Sequence, residues 1–438
     1  EKKKYDKILL YCNEALQFIE LISKALPLTK QLLSCKTSSD VMACIQFIVY
    51  TNAFQIKGSS DNVRSMLKLV TSIDESIRNA CITAIQKLFI NQKPSAPEEA
   101  IDIAKKIIDL AEECNLQQLR YLGIIITSLI DNKQFSKYVI LAYWEIFSQN
   151  IDSIDITDQT IETTTLILKM ISKADAQRTH KKIKTIIKEG LGTIADRNPI
   201  IAKNACDILI QMAHSLKIRQ NERIHFENSH VLFIRLCDLL LNTRESYELK
   251  YWIPFSQSCI SAIYLLAKDP NELFKDIVIH LSREVKLHEH GSQDESVQFP
   301  TMALTKLIFL LGHSAIKELT RVESLMRDAK ARKINESMHD DPPDDSLEND
   351  LGVDLKKLDD HELDQEYRRK EKDILNPHSI YGSYLKLIVD ISVDKEKIFK
   401  NSLLRKTSML TLCKYMTVSE AICENYLHFI FSMLKSTQ

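Results

Sequence analysis

"YWIPFSQSCISAIYLLAKDP" is the sequence of residues 251–270, and it predicts a short helix with a sharply defined beginning and end. Pro254 suits the first turn of a helix, where its missing N–H costs no hydrogen bond, and it disfavours a helical Ile253. We therefore predict that the helix begins at Pro254 and not earlier, and that Asp269-Pro270 ends it. Apolar residues recur between these points at helical spacing, at Phe255, Cys259, Ala262, Ile263 and Leu266.

The composition of this helix indicates that other parts of the chain must cover it. One side is apolar along its whole length, and Trp252 adds a large apolar side chain at the entry. Such a helix must be covered by neighbours, because an apolar stripe left in water is unfavourable. We assign Trp252, Pro254 and Phe255 to structural packing between helices.

The rest of the chain repeats this pattern. Eight glycines and ten prolines are few for 438 residues, which argues against a protein rich in β-turns. Three helical segments each combine a start signal, an early basic residue and small residues in the middle: ESIRNACITAIQKLFI (75–90), NPIIAKNACDILIQMA (198–213) and NSLLRKTSMLTLCKYM (401–416). Such similarity predicts an all-α protein, a HEAT- or armadillo-like α-solenoid of stacked helical hairpins. A single large globular α-domain is the alternative.

One region departs from the helical pattern. Acidic residues and Pro342-Pro343 dominate its first half, and few bulky apolar residues occur there. This composition predicts disorder in the first half, and the second half becomes helical from about Asp359. We therefore divide the chain into HEAT-like repeats over 1–327, an acidic, partly disordered insertion over 328–373 that ends in a helix, and further repeats over 374–438, truncated at the C-terminus.

Patterns typical of catalysis are missing from the sequence. It has no glycine-rich phosphate loop, no G-x-S-x-G motif and no Cys/His spacing typical of a metal site. We predict that the chain is not an enzyme and needs no cofactor, metal or small-molecule substrate. The longest apolar run, at 121–130, is too short to span a membrane.

A basic segment at 174–190 is the candidate DNA-binding site. The chain has 58 Lys and Arg against 59 Asp and Glu, so attraction to DNA must come from local patches. Cations recur here on one face over about three helical turns, a spacing that can follow DNA phosphates without reading bases. An ordinary solvated helix face has the same spacing. The candidate residues are Arg178, Lys181, Lys182, Lys184 and Lys188, extended by Lys217, Arg219 and Arg223 in the next loop.

Four collinear stretches resemble a known family. They are DNVRSMLKLVTSIDESIRNACITAIQKLFI (61–90), YWIPFSQSCISAIYLLAKDPNEL (251–273), LENDLGVDLKKLDDHELDQEYRRKEKDIL (347–375) and LLRKTSMLTLCKYMTVSEAICENYLHFIFSMLKS (403–436). Together they resemble the condensin complex subunit 1 family, whose members are HEAT-repeat regulatory subunits of condensin I. Thr417 and Ile422 depart from the family pattern.

The resemblance implies a function. It implies a non-catalytic regulatory scaffold of condensin that binds the kleisin subunit, the SMC ATPase heads and double-stranded DNA in mitotic chromosome condensation. It also implies a location in the nucleus and on chromosomes, with a cytoplasmic pool, and further repeats beyond residue 438. The alternative is an α-solenoid transport adaptor of the importin or adaptin kind. The chain lacks the strong acidity and the tryptophan-asparagine ladders expected of an importin.

Overall fold

A computed structural model describes residues 2–90, 94, 96–151, 156–216, 224–241, 248–289, 301–336, 360–393 and 401–436. The predicted all-α class is confirmed. The regular elements of the described residues are helices, and their β pairing is limited to one isolated bridge between Phe226 and Ala267. The chain divides into two compact units, Glu1–Arg223 and Ile224–Gln438.

Unit 1 contains eleven helices among its described residues. They are α1 (Lys2–Leu32), α2 (Ser38–Ala53), α3 (Ser59–Met66), α4 (Glu75–Phe89), α5 (Pro97–Glu112), α6 (Leu116–Asp131), α7 (Lys137–Phe147), α8 (Asp158–Ala174), α9 (Ala176–Lys181), α10 (Ile183–Thr185) and α11 (Pro199–Ser215). A 3₁₀ turn at Leu67–Thr71 follows α3, and a π-turn at Ile186–Gly190 follows α10.

Side chains at the helix N-termini fix several of these boundaries. Asn198 accepts hydrogen bonds from the N–H groups of Ile200 and Ile201, and Pro199 is the first residue of α11. Asn115 and Gln118 form a reciprocal capping box at the start of α6. These contacts satisfy N–H groups that have no partner within the helix, so the local sequence marks where these two helices begin.

Packing in unit 1 is mostly between helices that are close in the chain. α2 packs on α4, α5 on α7, α6 on α8, and α8 on α11. The centre of α7 is buried on nearly all sides, with Tyr143, Trp144 and Phe147 inaccessible to water. This arrangement is consistent with stacked helical hairpins, and the HEAT assignment stays a prediction.

Unit 2 is organised around one long helix. Its described helices are α12 (Val231–Leu241), α13 (Leu249–Leu266), α14 (Pro270–Glu289), α15 (Thr301–Glu336), α16 (Asp360–Ile374), α17 (Leu385–Val393), α18 (Ser402–Val418) and α19 (Glu420–Ser436). α13, α14, α16 and α18 all pack on α15. α15 therefore runs through the middle of the unit.

The contact between α15 and α18 is very close. A methyl group at Gly312 would lie 2.8 Å from Cγ2 of Thr411. The Thr411 hydroxyl donates a hydrogen bond of 3.0 Å to the carbonyl oxygen of Ile308, on the preceding turn of α15. Glycine is therefore required at 312 for the two backbones to approach this closely.

The predicted start of the helix at Pro254 is wrong. α13 begins at Leu249, and Pro254 lies inside it. Pro254 is close to the N-terminus, so its missing N–H removes a single hydrogen bond from the helix. The early start places Trp252 in the first turn, facing α15, where its ring is fully buried. Burial of this ring outweighs the local preference of the proline.

The three-part division of the chain stays a prediction. α15 continues through Asp328 to Glu336, and α16 packs on its C-terminal end through Leu325, Met326, Ala329 and Leu363. Lys330 of α15 pairs with Asp364 of α16 at 2.6 Å. Residues 337–359, which make up half of the predicted insertion, lie outside the described residues.

Candidate nucleic-acid interface

The basic segment begins at a corner formed by one residue. Asp175 directly follows α8 and is also the N-cap of α9. Its carboxylate accepts a hydrogen bond from the Arg178 N–H at 3.2 Å and pairs with the Arg178 guanidinium at 3.2 Å. Arg178 is thus held by the cap of its own helix, which limits its reach toward a phosphate.

The segment is not a uniform α-helix. α9 ends at Lys181, α10 covers three residues, and a π-turn takes the chain to Gly190. Buried contacts set this geometry. The Thr179 hydroxyl hydrogen bonds with Ser172 of α8 at 3.2 Å. A methyl group at Gly190 would lie 2.8 Å from Cβ of Ala205 on α11, so the end of the segment is pressed against that helix.

The five predicted cations of this segment differ in exposure. Lys181, Lys184 and Lys188 are exposed, whereas Arg178 and Lys182 are half-buried. Lys188 pairs with the neighbouring Glu189 at 2.7 Å. Lys181 and Lys184 are the cations of this segment best placed to meet an anion from solvent. The predicted extension at Lys217, Arg219 and Arg223 lies outside the described residues.

A second pair of cations lies on the adjoining helices and was missed by the sequence analysis. Lys169 of α8 and Lys203 of α11 both pair with Asp207, at 2.7 and 2.8 Å. Burial acts to raise the pKa of the Asp207 carboxyl, but hydrogen bonds and charge from both lysines outweigh it and hold that pKa below its usual value. Two cations share one carboxylate, so the pairing leaves one net positive charge. The four-residue spacing of Lys203 and Asp207 on α11 was a usable signal.

The three residues assigned to packing lie near the start of α13, and one of them, Trp252, contacts α15. Trp252 and Phe255 are fully buried, and Pro254 is half-buried. The Trp252 ring meets Phe309 edge-on at 5.8 Å, and the Lys306 ammonium lies 5.3 Å from the centre of the Trp252 ring. Trp252 Nε1 has no hydrogen-bond partner among the described residues.

A set of titratable groups near this contact was also missed. His313 and Lys317 of α15 and Lys414 of α18 are half-buried, and burial lowers the pKa of both lysines. Burial, together with the charges of Lys414 and Lys317, lowers the pKa of His313 to about 4. Lys306 is buried, which lowers its pKa, and Glu284 partly offsets this effect. The run TMALTKLIFLL (301–311), with one lysine among apolar residues, was the available signal for Lys306.

No group of three or more His, Cys, Asp or Glu side chains among the described residues is placed to hold a metal ion. None of the helices that the structure describes combines the length and apolar character needed to cross a membrane.

Comparison with known proteins identifies relatives along nearly the whole chain. No protein-family model matches it. The chain is 26% identical over 96% of its length to condensin complex subunit 1 of Schizosaccharomyces pombe, and 22% identical over 99% to that of Xenopus laevis. It is 25% identical over 98% of its length to the condensin-1 complex subunit CAP-D2 of Arabidopsis thaliana. The chain spans 39%, 32% and 31% of these relatives, respectively.

Proposed function

We propose that this chain, whose homologues over nearly its full length are condensin complex subunit 1 proteins, is part of a non-catalytic regulatory scaffold of a condensin complex. One observation carries the proposal. Similarity extends over 96% or more of the chain in relatives from yeasts, a plant and vertebrates that are all named as subunits of a condensin complex. Collinear similarity of this extent is hard to reconcile with chance likeness between unrelated helical arrays, because single amphipathic helices resemble one another only locally.

The proposal assigns three kinds of partner. An extended kleisin segment and the SMC ATPase heads bind the helical scaffold, and double-stranded DNA contacts the basic segment through phosphates. All-α packing supports the scaffold role, since stacked helical hairpins offer long surfaces to extended partners. The exposure of Lys181, Lys184 and Lys188 supports the DNA contact. The protein is expected in the nucleus and on chromosomes, with a cytoplasmic pool.

Affinity purification from the source cells tests the proposal. The tagged chain is captured after mild crosslinking, and the bound proteins are identified by mass spectrometry. A kleisin and two SMC ATPases at near-stoichiometric amounts are the expected result. Recovery of nuclear import cargo or vesicle coat components in their place would overturn it and favour the transport adaptor.

A fluorescent fusion provides an independent check. The fusion is expected to coat condensed chromosomes in mitosis and to divide between nucleus and cytoplasm at other times. A tagged α-solenoid of similar size with no relation to condensin serves as the control for non-specific association with chromosomes. Labelling of vesicles without chromosomes contradicts the proposed location.

A further inference from the structure

Unit 2 contains a group of three basic side chains, two of which contact one aromatic ring; we call His313, Lys317 and Lys414 the basic cluster. The His313 ring stacks on Phe309 with the ring centres 6.0 Å apart and the planes nearly parallel. The Lys414 ammonium lies 4.6 Å from the centre of the same Phe309 ring. Lys317 follows His313 by one turn of α15. The cluster thus combines side chains of two helices, α15 and α18, and both helices contribute a contact to the Phe309 ring.

The basic cluster has hydrogen-bonding capacity that the described residues leave unused. His313 interacts with the backbone of Gln257 on α13, but its Nε2 atom is buried without a hydrogen-bond partner. Trp252 Nε1, whose ring meets Phe309 edge-on, is also buried without a hydrogen-bond partner among the described residues. No carboxylate of the described residues lies within salt-bridge distance of Lys317 or Lys414. The carboxylate of the nearby Glu318 is directed at Arg321, from which it accepts two hydrogen bonds of 2.9 Å.

This arrangement is costly for the free protein. The cluster holds two cations partly away from water, and their charges act on the same imidazole. Buried cations are normally paired, and a buried polar atom normally has a partner. Exceptions to these rules tend to occur where a protein binds something. The missing component has the opposite charge, so the cluster is complementary to an anion.

The position of the cluster restricts the kind of anion. Duplex DNA presents its phosphates on a broad surface and is contacted by cations that project into solvent. Lys317 and Lys414 are half-buried, so a single side chain can reach them more readily than a duplex can. A glutamate or aspartate side chain that enters from solvent would bring its carboxylate to the ammonium groups.

We propose that the basic cluster binds the carboxylates of an acidic peptide segment of a partner protein. Lys317 and Lys414 donate charge-assisted hydrogen bonds to the carboxylate, and the buried Phe309 ring contacts the Lys414 ammonium from the protein side. The site is separate from the basic segment of unit 1. It rests on the geometry of α13, α15 and α18 alone, so it holds whether or not the chain is a condensin subunit.

Peptide binding tests the site directly. A fluorescein-labelled dodecapeptide of Glu, Asp and Leu is titrated with the whole chain, and anisotropy is measured. The variant Lys317→Met/Lys414→Met keeps an unbranched side chain of nearly the same length at both positions and removes the charge. We expect its affinity to fall by roughly tenfold or more, since a hydrogen bond to a charged group is lost at each position. Lys386→Met, an exposed lysine on α17, is the matched control and should change affinity less than about twofold.

Three further ligands define the chemistry of the site. The same peptide with Gln and Asn in place of Glu and Asp should not bind, whereas its binding as tightly as the acidic peptide would overturn the proposal. A phosphoserine peptide or a 30-base-pair duplex that binds more tightly than the acidic peptide and loses affinity in the double variant would also overturn it. Equal binding of the acidic peptide by the double variant and the unaltered chain would do the same.

Two readouts separate a binding site from a merely structural cluster. Thermal unfolding of the double variant should occur at the same or a higher temperature than that of the unaltered chain, because an uncompensated charge is removed. If the cluster is a binding site, the double variant should bind the peptide more weakly than the unaltered chain while its fold is equally or more stable. Bound acidic peptide should also raise the midpoint of the His313 imidazole titration in NMR, since it places a negative charge beside the ring. A large loss of stability in Lys414→Met, or an unmoved His313 titration at saturating peptide, would count against the proposal.

Discussion

The ammonium group of Lys306 lies 5.3 Å from the centre of the Trp252 ring, and both side chains are almost completely shielded from water. This cation–π contact joins α13 to α15, and Phe309 packs edge-on against the same ring. Truncation of a buried aromatic side chain leaves a cavity and removes its contacts. We expect Trp252→Ala to lower the free energy of unfolding of unit 2 by about 3–5 kcal/mol, measured by urea denaturation.

Trp252→Phe is the matched comparison. A phenyl ring keeps an aromatic face for Lys306 and most of the packing volume, so its effect should be clearly smaller than that of alanine. The unpartnered Nε1 atom of Trp252 is removed at the same time. A Trp252→Ala protein as stable as the unaltered chain would show that this contact contributes little to unit 2.

The stability of unit 2 should depend on His313 below neutral pH. The folded state lowers the pKa of His313 from its usual 6.5 to about 4. Between these pH values the unfolded state binds a proton that the folded state does not, so stability falls as the pH falls. The contribution of His313 is at most about 3 kcal/mol between pH 7 and pH 4.

His313→Gln tests this dependence, because glutamine keeps the polarity of the side chain but does not titrate. Urea unfolding is followed by Trp252 fluorescence at several pH values in a Trp144→Phe background, which leaves one tryptophan as the probe. Stability of the variant should fall less steeply between pH 6.5 and pH 4, while other titrating groups act equally in both proteins. Parallel curves for variant and parent would contradict the low pKa of His313.

Gly312→Ala should destabilise unit 2 despite the higher helix propensity of alanine. Its methyl group would lie 2.8 Å from both Cγ2 and Oγ1 of Thr411, so α15 and α18 must separate. Overpacking of this kind costs about 1–3 kcal/mol, more than the gain of up to about 1 kcal/mol from propensity. Urea denaturation of the single and double variants measures the difference.

Two comparisons isolate the steric cause. Thr411→Ala removes the colliding atoms, so Gly312→Ala/Thr411→Ala should lose less stability than the sum of the single variants. Gly123→Ala on α6 would meet the flexible side chain of Met170 at 3.3 Å and should be neutral or stabilising. Strict additivity of the two unit 2 substitutions would show that the contact with Thr411 is not the cause.

DNA binding should depend on salt through the exposed lysines of the basic segment. If Lys181, Lys184 and Lys188 contact phosphates, their replacement by alanine should reduce the slope of log K against log salt by roughly three for duplex DNA. The loss should be similar for unrelated sequences, because phosphate contacts carry no base information. Fluorescence anisotropy with the reconstituted complex at several salt concentrations provides the measurement.

An equal change of charge elsewhere in unit 1 is the control. Lys57, Lys105 and Lys106 are also exposed, and their joint replacement by alanine should leave the slope nearly unchanged. Equal effects of the two triple variants would mean that net charge alone, without a defined contact, governs binding. An unchanged slope in the variant that lacks Lys181, Lys184 and Lys188 would show that the basic segment is an ordinary solvated helix face.

Much of the helical structure could be predicted from local sequence. Asn198 and the following Pro199 mark the start of α11 because capping is a contact within one turn, readable from adjacent residues. Pro254 misled the prediction because the position of α13 is decided by burial of Trp252 against α15, more than fifty residues away in the chain. A local preference of a proline near a helix end is weaker than burial of a large ring.

The sites were less predictable than the fold. The spacing of Lys181, Lys184 and Lys188 predicted a common helical face, but periodicity could not reveal that buried Thr179 and Gly190 break the helix between α9 and the π-turn. The basic cluster could not be predicted from the sequence either, because its residues come together only in the folded protein. His313 and Lys414 are about one hundred residues apart, and it is the close approach of α15 and α18 that puts both on Phe309.

Asp175 has a mechanical consequence. Because this one residue follows α8 and caps α9, no slack chain separates the two helices. A pull on Lys181 or Lys184 is therefore not absorbed by a compliant linker. It is transmitted through Asp175 to α8 and, through Lys169 and Asp207, onward to α11. Force applied to the basic segment is therefore passed directly to the helices that pack against it, α8 and α11.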